Sequence, residues 1–113
     1  MIKIYHNPRC KKSRAGLQHL QSKGVEFEVI EYLKTPFTGD ELKDVLMKMN
    51  IKPFDLVRMQ EEVYKKQLKG KEFTDDEWVK ILLENPKLIK RPIVVKEYKA
   101  VWADPPEEMD ELV

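Results

Sequence analysis

The sequence predicts an α/β fold in which a mixed four-stranded sheet carries a helical insertion between its first two strands and its last two. Three observations favour this class: a strand–helix–strand pattern at the start, helical patterns in the middle, and a hairpin pattern behind an Arg-Pro step near the end. The chain has 113 residues, the length of one ordinary domain. We therefore predict a single domain over residues 1–113.

The first third of the chain predicts a βαβ unit. Ile2 and Ile4 alternate with polar neighbours and indicate a first strand. After a loop at residues 6–9, apolar residues at helical spacing predict a helix that ends at Gly24. Residues 25–32 are rich in strand-favouring side chains and predict a second strand. Such a unit makes the two strands parallel, with a right-handed crossover.

The middle of the chain predicts helices. Thr38 and Glu41 are spaced as a capping box, and the apolar residues behind them predict a helix that ends near Asn50. Thr74 and Glu77 repeat the same pattern before a second helix. Between the two helices the pattern is weaker and indicates short helices joined by loops. This helical region is the predicted insertion between the βαβ unit and the C-terminal hairpin.

The end of the chain predicts an antiparallel hairpin. Pro92 precedes the β-rich residues 93–96, and residues 100–103 fit the returning strand. A last helix is predicted to begin at Pro105, with Met109 on its buried side. The predicted elements together have a thioredoxin-like outline.

Composition excludes several classes of function. The 21 basic and 20 acidic side chains leave a net charge of +1, far from the basic excess that sequence-independent nucleic-acid binding needs. No apolar run reaches the roughly 18 residues needed to cross a bilayer. The chain starts directly in a strand pattern without the features of a secretion signal, and it has one cysteine. We expect a cytoplasmic protein that binds neither membrane nor nucleic acid directly.

The only cysteine, Cys10, lies between the first strand and the first helix. The unpaired N–H groups and positive dipole end of a helix N-terminus favour a thiolate over a thiol. Four cationic side chains surround it in sequence: Arg9, Lys11, Lys12 and Arg14. This setting predicts a nucleophilic thiol, the alternative being a small buried hydrophobe. One cysteine permits no cysteine-rich zinc site, and His19 has no second ligand nearby, so we expect no metal.

Five segments carry a family resemblance from end to end: IYHNPRCKKSR, EYLKTPFTGDEL, Val57-Arg58, FTDDE and LIKRPIVV. In this order and spacing they resemble the glutaredoxin-coupled arsenate reductase family, whose relatives include the Spx-type transcription regulators. The resemblance implies a thioredoxin fold with a helical insertion and an active cysteine at Cys10. In the reductases this cysteine attacks arsenate, and the adduct is reduced through glutathione and glutaredoxin.

The resemblance also implies site residues. Arg58 and Arg91 match two family arginines that line the anion pocket, and a planar guanidinium can bind two oxygens of a tetrahedral anion. His6 matches a histidine near the thiol that would favour its ionised form. Ser13 takes the place of the second cysteine of two-cysteine redox motifs, where its hydroxyl would hydrogen-bond the thiolate. The alternatives are a loop histidine, a plain helix-start serine and solvated arginines.

One position departs from the family pattern. Asp104 stands where the reductases have a third pocket arginine, and a carboxylate there would repel arsenate. Lys11 and Lys12, in the loop beside the thiol, are the candidates to compensate as substrate-binding residues.

The leading hypothesis is therefore a monomeric thiol-dependent oxidoreductase in which Cys10 attacks a small oxyanion or thiol substrate. Glutathione would be the co-substrate and glutaredoxin a partner, with no bound cofactor. Asp104 favours a variant that reduces glutathione mixed disulfides, since one redox cysteine suits a one-thiol mechanism. The alternative from another class is a Spx-like regulator that binds RNA polymerase without catalysis. Oxidation-sensing Spx proteins use a Cys-x-x-Cys switch, which Ser13 removes here.

Overall fold

The computed structural model describes all residues, 1–113, and the chain divides into two compact units. The first unit comprises residues 1–35 and 91–113 and contains the sheet. The second comprises residues 36–90 and contains the inserted helices. None of the helices has the length and apolar character needed to cross a bilayer.

The sheet of the first unit has four strands: β1 (Ile2–His6), β2 (Phe27–Glu31), β3 (Ile93–Lys96) and β4 (Lys99–Trp102). Their spatial order is β2-β1-β3-β4. β1 runs parallel to β2 and antiparallel to β3, and β4 is antiparallel to β3. Helix α1 (Lys11–Ser22) connects β1 to β2. The predicted mixed four-stranded, thioredoxin-like sheet with its βαβ unit and hairpin is thus confirmed.

The core of this unit forms where the inward residues of β1 and β3 meet α1 and the C-terminal segment. Its fully or nearly fully buried members are Ile2, Ile4, Leu20, Val94, Ala103 and Met109. The alternation in β1 puts its two isoleucines on the core side, as the period of a strand requires. Burial of this apolar surface holds α1 in place, and with it the loop that precedes the helix.

The second unit contains helices α2 (Gly39–Met49) and α3 (Asp75–Glu84). Both predicted capping boxes are present, with the Thr38 and Thr74 side chains accepting backbone N–H groups. Asn50 ends α2 in the left-handed conformation, at φ 57°. A 3₁₀ turn and a π-helical turn lie between the helices, as the weaker sequence pattern indicated.

The C-terminal segment differs from the predicted last helix. Only one 3₁₀ turn forms, Pro106–Met109, although Met109 is fully buried as expected. Pro105 and Pro106 have no backbone N–H to donate, and the turn closes through i→i+3 bonds, from the Glu108 N–H to the Pro105 carbonyl and from the Asp110 N–H to the Glu107 carbonyl. β4 also starts at Lys99, one residue before the predicted position, because the hairpin turn is only two residues long.

Candidate active site

The thiol of Cys10 lies at the N-terminus of α1. Cys10 is the residue before the first helical position, with an extended backbone at φ −94° and ψ 121°. Its N–H donates to the Asn7 carbonyl at 3.0 Å, and its carbonyl accepts the Arg14 N–H at 2.9 Å. The side chain is partly exposed. The predicted position of Cys10 at a helix start is therefore correct.

Asn7 holds the loop that presents the thiol, although it is not among the site residues predicted from the sequence. Its side-chain oxygen accepts the Arg9 N–H at 3.0 Å, and its own N–H donates to the Ser13 hydroxyl at 3.0 Å. Asn7 is buried although it is polar. The Asn-Pro dipeptide was a usable signal, because Asn side chains frequently build such turns.

The surroundings of the sulfur favour its ionised form. Burial alone raises the pKa of the Cys10 thiol, but the backbone N–H groups of Ser13 and Lys12 and the side chain of Arg91 lower it further than burial raises it. The hydrogen bond and the positive charge of Arg91 both contribute. The net result is a pKa below the ordinary value for cysteine. Cys10 and Arg91, 81 positions apart in sequence, are thus brought together.

His6 and Ser13 form a buried pair behind the thiol. The His6 Nδ1 and the Ser13 Oγ lie 2.7 Å apart. Burial lowers the pKa of the His6 imidazole, the Glu31 carboxylate raises it, and the Arg14 guanidinium lowers it, with a net decrease. The net decrease of the pKa favours the neutral form of the His6 imidazole. The Ser13 hydroxyl is occupied by His6 and Asn7, and it is the Ser13 backbone N–H that acts on the thiol.

Arg91 precedes a cis peptide bond to Pro92. Gly16 on α1 faces this proline, and a Cβ atom at position 16 would lie 2.5 Å from the Pro92 Cγ. Trp102 on β4 donates its indole N–H to the Arg91 carbonyl at 3.1 Å. The Arg91-Pro92 step is therefore packed by α1 and hydrogen-bonded by β4.

Lys12 and Asp104 form an ion pair in the same unit. The Lys12 Nζ lies 3.4 Å from the Asp104 Oδ2, and the lysine side chain is largely exposed. The carboxylate that replaces the expected third arginine is thus close to the start of α1. It neutralises part of the positive charge that Lys12 would otherwise offer to an anion. Lys11 is exposed, and its role in substrate binding stays a prediction.

Arg58 lies in the second unit. Its Nη1 donates to the Glu61 Oε2 at 2.9 Å, and its backbone N–H donates to the Leu88 carbonyl at 2.7 Å. Four-fifths of its side chain is covered. Its part in binding a substrate anion stays a prediction.

Fold and site together define a class: a thioredoxin-like protein with one activated cysteine at a helix N-terminus and an arginine at the sulfur. The model of the ArsC family matches residues 5–112 of the chain. The chain belongs to the ArsC family.

Three relatives illustrate the similarity. The chain is 41% identical to YfgD, an uncharacterized protein of Escherichia coli (strain K12), over 99% of this chain and 96% of the relative. It is 37% identical to an arsenate reductase of Neisseria meningitidis serogroup A, over 96% of this chain and 95% of the relative. The structure of an arsenate reductase from Vibrio cholerae superposes with a TM-score of 0.93, at 38% identity, and covers 99% of this chain and 97% of its own. These relatives support an arsenate-reductase-like thiol oxidoreductase.

Proposed function

We propose that the protein is a cytoplasmic oxidoreductase in which the Cys10 thiolate attacks an oxidised substrate and glutathione restores the thiol. The observation that supports this most directly is the environment of the sulfur, where the Arg91 side chain and two helical N–H groups lower the thiol pKa. A thiolate is the nucleophile in such reactions. The same groups offset the charge of an approaching anion. The substrate class is a small oxyanion of the arsenate type or a glutathione mixed disulfide.

With arsenate, the thiolate forms a sulfur–arsenic bond, and one arsenate oxygen leaves as water after protonation. Two thiols, from glutathione and glutaredoxin, then supply two electrons. Arsenic(V) becomes arsenic(III), the two thiol sulfurs end as one disulfide, and Cys10 returns as a thiolate. The guanidinium of Arg91 would neutralise the oxyanion during the first step. The names of the relatives from Neisseria meningitidis and Vibrio cholerae support this version.

The Lys12–Asp104 ion pair favours a disulfide as the alternative substrate. A carboxylate beside the thiol loop weakens binding of a multiply charged oxyanion, while a disulfide carries no charge at the sulfur that is attacked. Cys10 would attack the glutathione sulfur of a mixed disulfide and release the other thiol. A second glutathione would then attack the Cys10–glutathione disulfide, releasing glutathione disulfide and regenerating Cys10.

A coupled assay tests the proposal. Arsenate is supplied with glutathione, glutaredoxin, glutathione reductase and NADPH, and a glutathionylated peptide is supplied with the same mixture without glutaredoxin. Glutathione reductase uses NADPH to reduce the glutathione disulfide that either reaction forms, so NADPH oxidation is followed for the wild-type protein and for Cys10→Ser. We expect Cys10-dependent turnover of at least one substrate, and the ratio of the two rates identifies the substrate class. Absence of turnover with both, together with capture of RNA polymerase in a pull-down, would instead establish the regulator that needs no catalysis.

A further inference from the structure

Trp102 makes a hydrogen bond that connects strand β4 to the arginine at the active sulfur. Its indole N–H donates to the main-chain carbonyl of Arg91 at 3.1 Å. We propose that Trp102 is a positioning residue: by holding the Arg91 main chain, it keeps the Arg91 side chain at the sulfur of Cys10. It does not touch the substrate in this proposal.

Strand β4 ends beside the segment that precedes β3. Trp102 is the last residue of that strand and pairs with Ile93, the first residue of β3. The next residue, Ala103, donates its N–H to the Pro92 carbonyl at 2.9 Å. Trp102 and Ala103, the residue that follows β4, thus bind the carbonyls of Arg91 and Pro92, the two residues that precede β3. The chain at Arg91 is restrained just where it leaves the regular ladder.

Few residue types could make the side-chain hydrogen bond that Trp102 makes. The Ala103 contact is a backbone bond, which every residue except proline can form. The Trp102 contact requires a side chain with an N–H donor at the end of a large apolar ring, a property of tryptophan among the apolar residues. Trp102 is only partly buried, so coverage of the core does not by itself explain its presence.

A fixed main chain at Arg91 restricts where its guanidinium can lie. An arginine side chain has several rotatable bonds, and its guanidinium stays at one atom only if the Cα from which it extends is held. Arg91 acts on the sulfur through a hydrogen bond and through its charge, and both effects weaken as the distance grows. Loosening the peptide after Arg91 therefore weakens the stabilisation of the thiolate.

The inference goes beyond the proposed function and does not depend on the substrate, because ionisation of the thiol is measured without any substrate. Failure of the coupled assay would leave it intact, and its own failure would leave the proposed function intact. The competing explanation is that Trp102 only fills space at the edge of the sheet.

The test compares Trp102→Phe, which keeps an aromatic ring but removes the donor, with Trp78→Phe as a matched control. Trp78 lies in α3 of the second unit and packs against Phe54 and Phe73. The midpoint of Cys10 alkylation by iodoacetamide is measured against pH. For Trp102→Phe we expect the midpoint to move up by about half a pKa unit, which lowers the alkylation rate about threefold at pH values below the midpoint.

A double-mutant cycle identifies the route. In an Arg91→Ala background, Trp102→Phe should cause no further shift, because the group through which it acts is gone. The same shift in both backgrounds, or a shift no larger than that of Trp78→Phe, would overturn the proposal.

A second measurement uses the unsubstituted indole and decides the question if Trp102→Phe does not fold. The indole N–H resonance of Trp102 should move with pH at the midpoint of the Cys10 thiol, and this movement should disappear in Cys10→Ser. The Trp78 resonance serves as the internal reference. A Trp102 resonance that ignores the ionisation of Cys10 would contradict the proposal.

Discussion

The hydroxyl of Ser13 lies 2.7 Å from the Nδ1 of His6 and is fully shielded from solvent. It also accepts the N–H of Asn7 at 3.0 Å. The hydroxyl therefore ties helix α1 to the end of β1, while the backbone N–H of the same residue stabilises the thiolate of Cys10. The side chain of Ser13 therefore stabilises the fold, whereas its main chain stabilises the thiolate. A substitution of the side chain can distinguish the two roles.

Ser13→Ala should lower the free energy of unfolding by about 1–3 kcal/mol, because the buried Asn7 N–H and the His6 ring lose their partner. The thiol pKa of Cys10 should change little, since the backbone N–H remains. Urea unfolding and the pH profile of alkylation measure the two effects. Ser22→Ala, at the exposed end of the same helix, is the control and should change stability by less than about 0.5 kcal/mol. A pKa change as large as that of Arg91→Ala would mean that the hydroxyl acts on the thiolate directly.

Cys10 should be ionised to a larger extent than a free peptide cysteine at neutral pH, because Ser13, Arg91 and Lys12 together lower its pKa. The alkylation midpoint should lie below that of a peptide cysteine, and Arg91→Ala should raise it. Cys10→Ser should abolish turnover and leave the thermal midpoint of unfolding nearly unchanged. A wild-type midpoint at or above the peptide value would refute the activated thiolate.

His6 makes stability depend on pH in a defined window. Its pKa in the folded protein is below the unfolded value of about 6.5, so the unfolded chain binds a proton first as the pH falls. The stability that the neutral His6 contributes is fully present above the unfolded-state pKa of about 6.5, and it is lost as the pH falls toward the folded-state pKa. Urea midpoints of the wild type should therefore decline between neutral and mildly acidic pH. His6→Asn, which keeps a hydrogen-bonding atom near the Nδ1 position, should show a flatter profile; an unchanged slope would assign the dependence to other groups.

Asp104→Arg should raise arsenate turnover by about tenfold or more, since each 1.4 kcal/mol recovered in the transition state is a factor of about ten. The change removes a carboxylate and adds a bidentate cation near the start of α1. Asp104→Asn is the control that removes only the charge and should give a smaller gain, whereas Arg58→Ala and Arg91→Ala should each lower turnover. If the wild type already reduces arsenate efficiently and neither Asp104 substitution alters the rate, the carboxylate does not face the substrate.

Gly16→Ala should destabilise the first unit by about 1–3 kcal/mol, because the new methyl group would lie 2.5 Å from the Pro92 ring. Displacement of α1 from Pro92 should also raise the Cys10 pKa. Gly39→Ala is a suitable control, since its Cβ would make an ordinary 3.7 Å contact with Leu83. Thermal unfolding and the alkylation profile test both effects, and equal tolerance of the two substitutions would show that the helix adjusts without cost.

The sequence alone determined the elements and the nucleophile. The elements depend on local signals: the capping boxes at Thr38 and Thr74, the alternation in β1, and the prolines at helix and strand boundaries. Each of these signals involves residues no more than four positions apart, so it can be recognised in the sequence. The position of Cys10 before α1 follows from the same local rules. Arg58 and Arg91 were predicted from the resemblance to a family. Such a resemblance identifies the positions of site residues but not their contacts.

Only the tertiary structure decided how the thiol is surrounded. Lys12 meets Asp104, and Trp102 holds Arg91, because β3 and β4 fold back beside β1 and α1. The buried partners of the Ser13 hydroxyl likewise depend on how the loop after β1 turns. These contacts follow from strand order and loop conformation, which the burial of apolar surface over the whole unit selects, and no local periodicity encodes them.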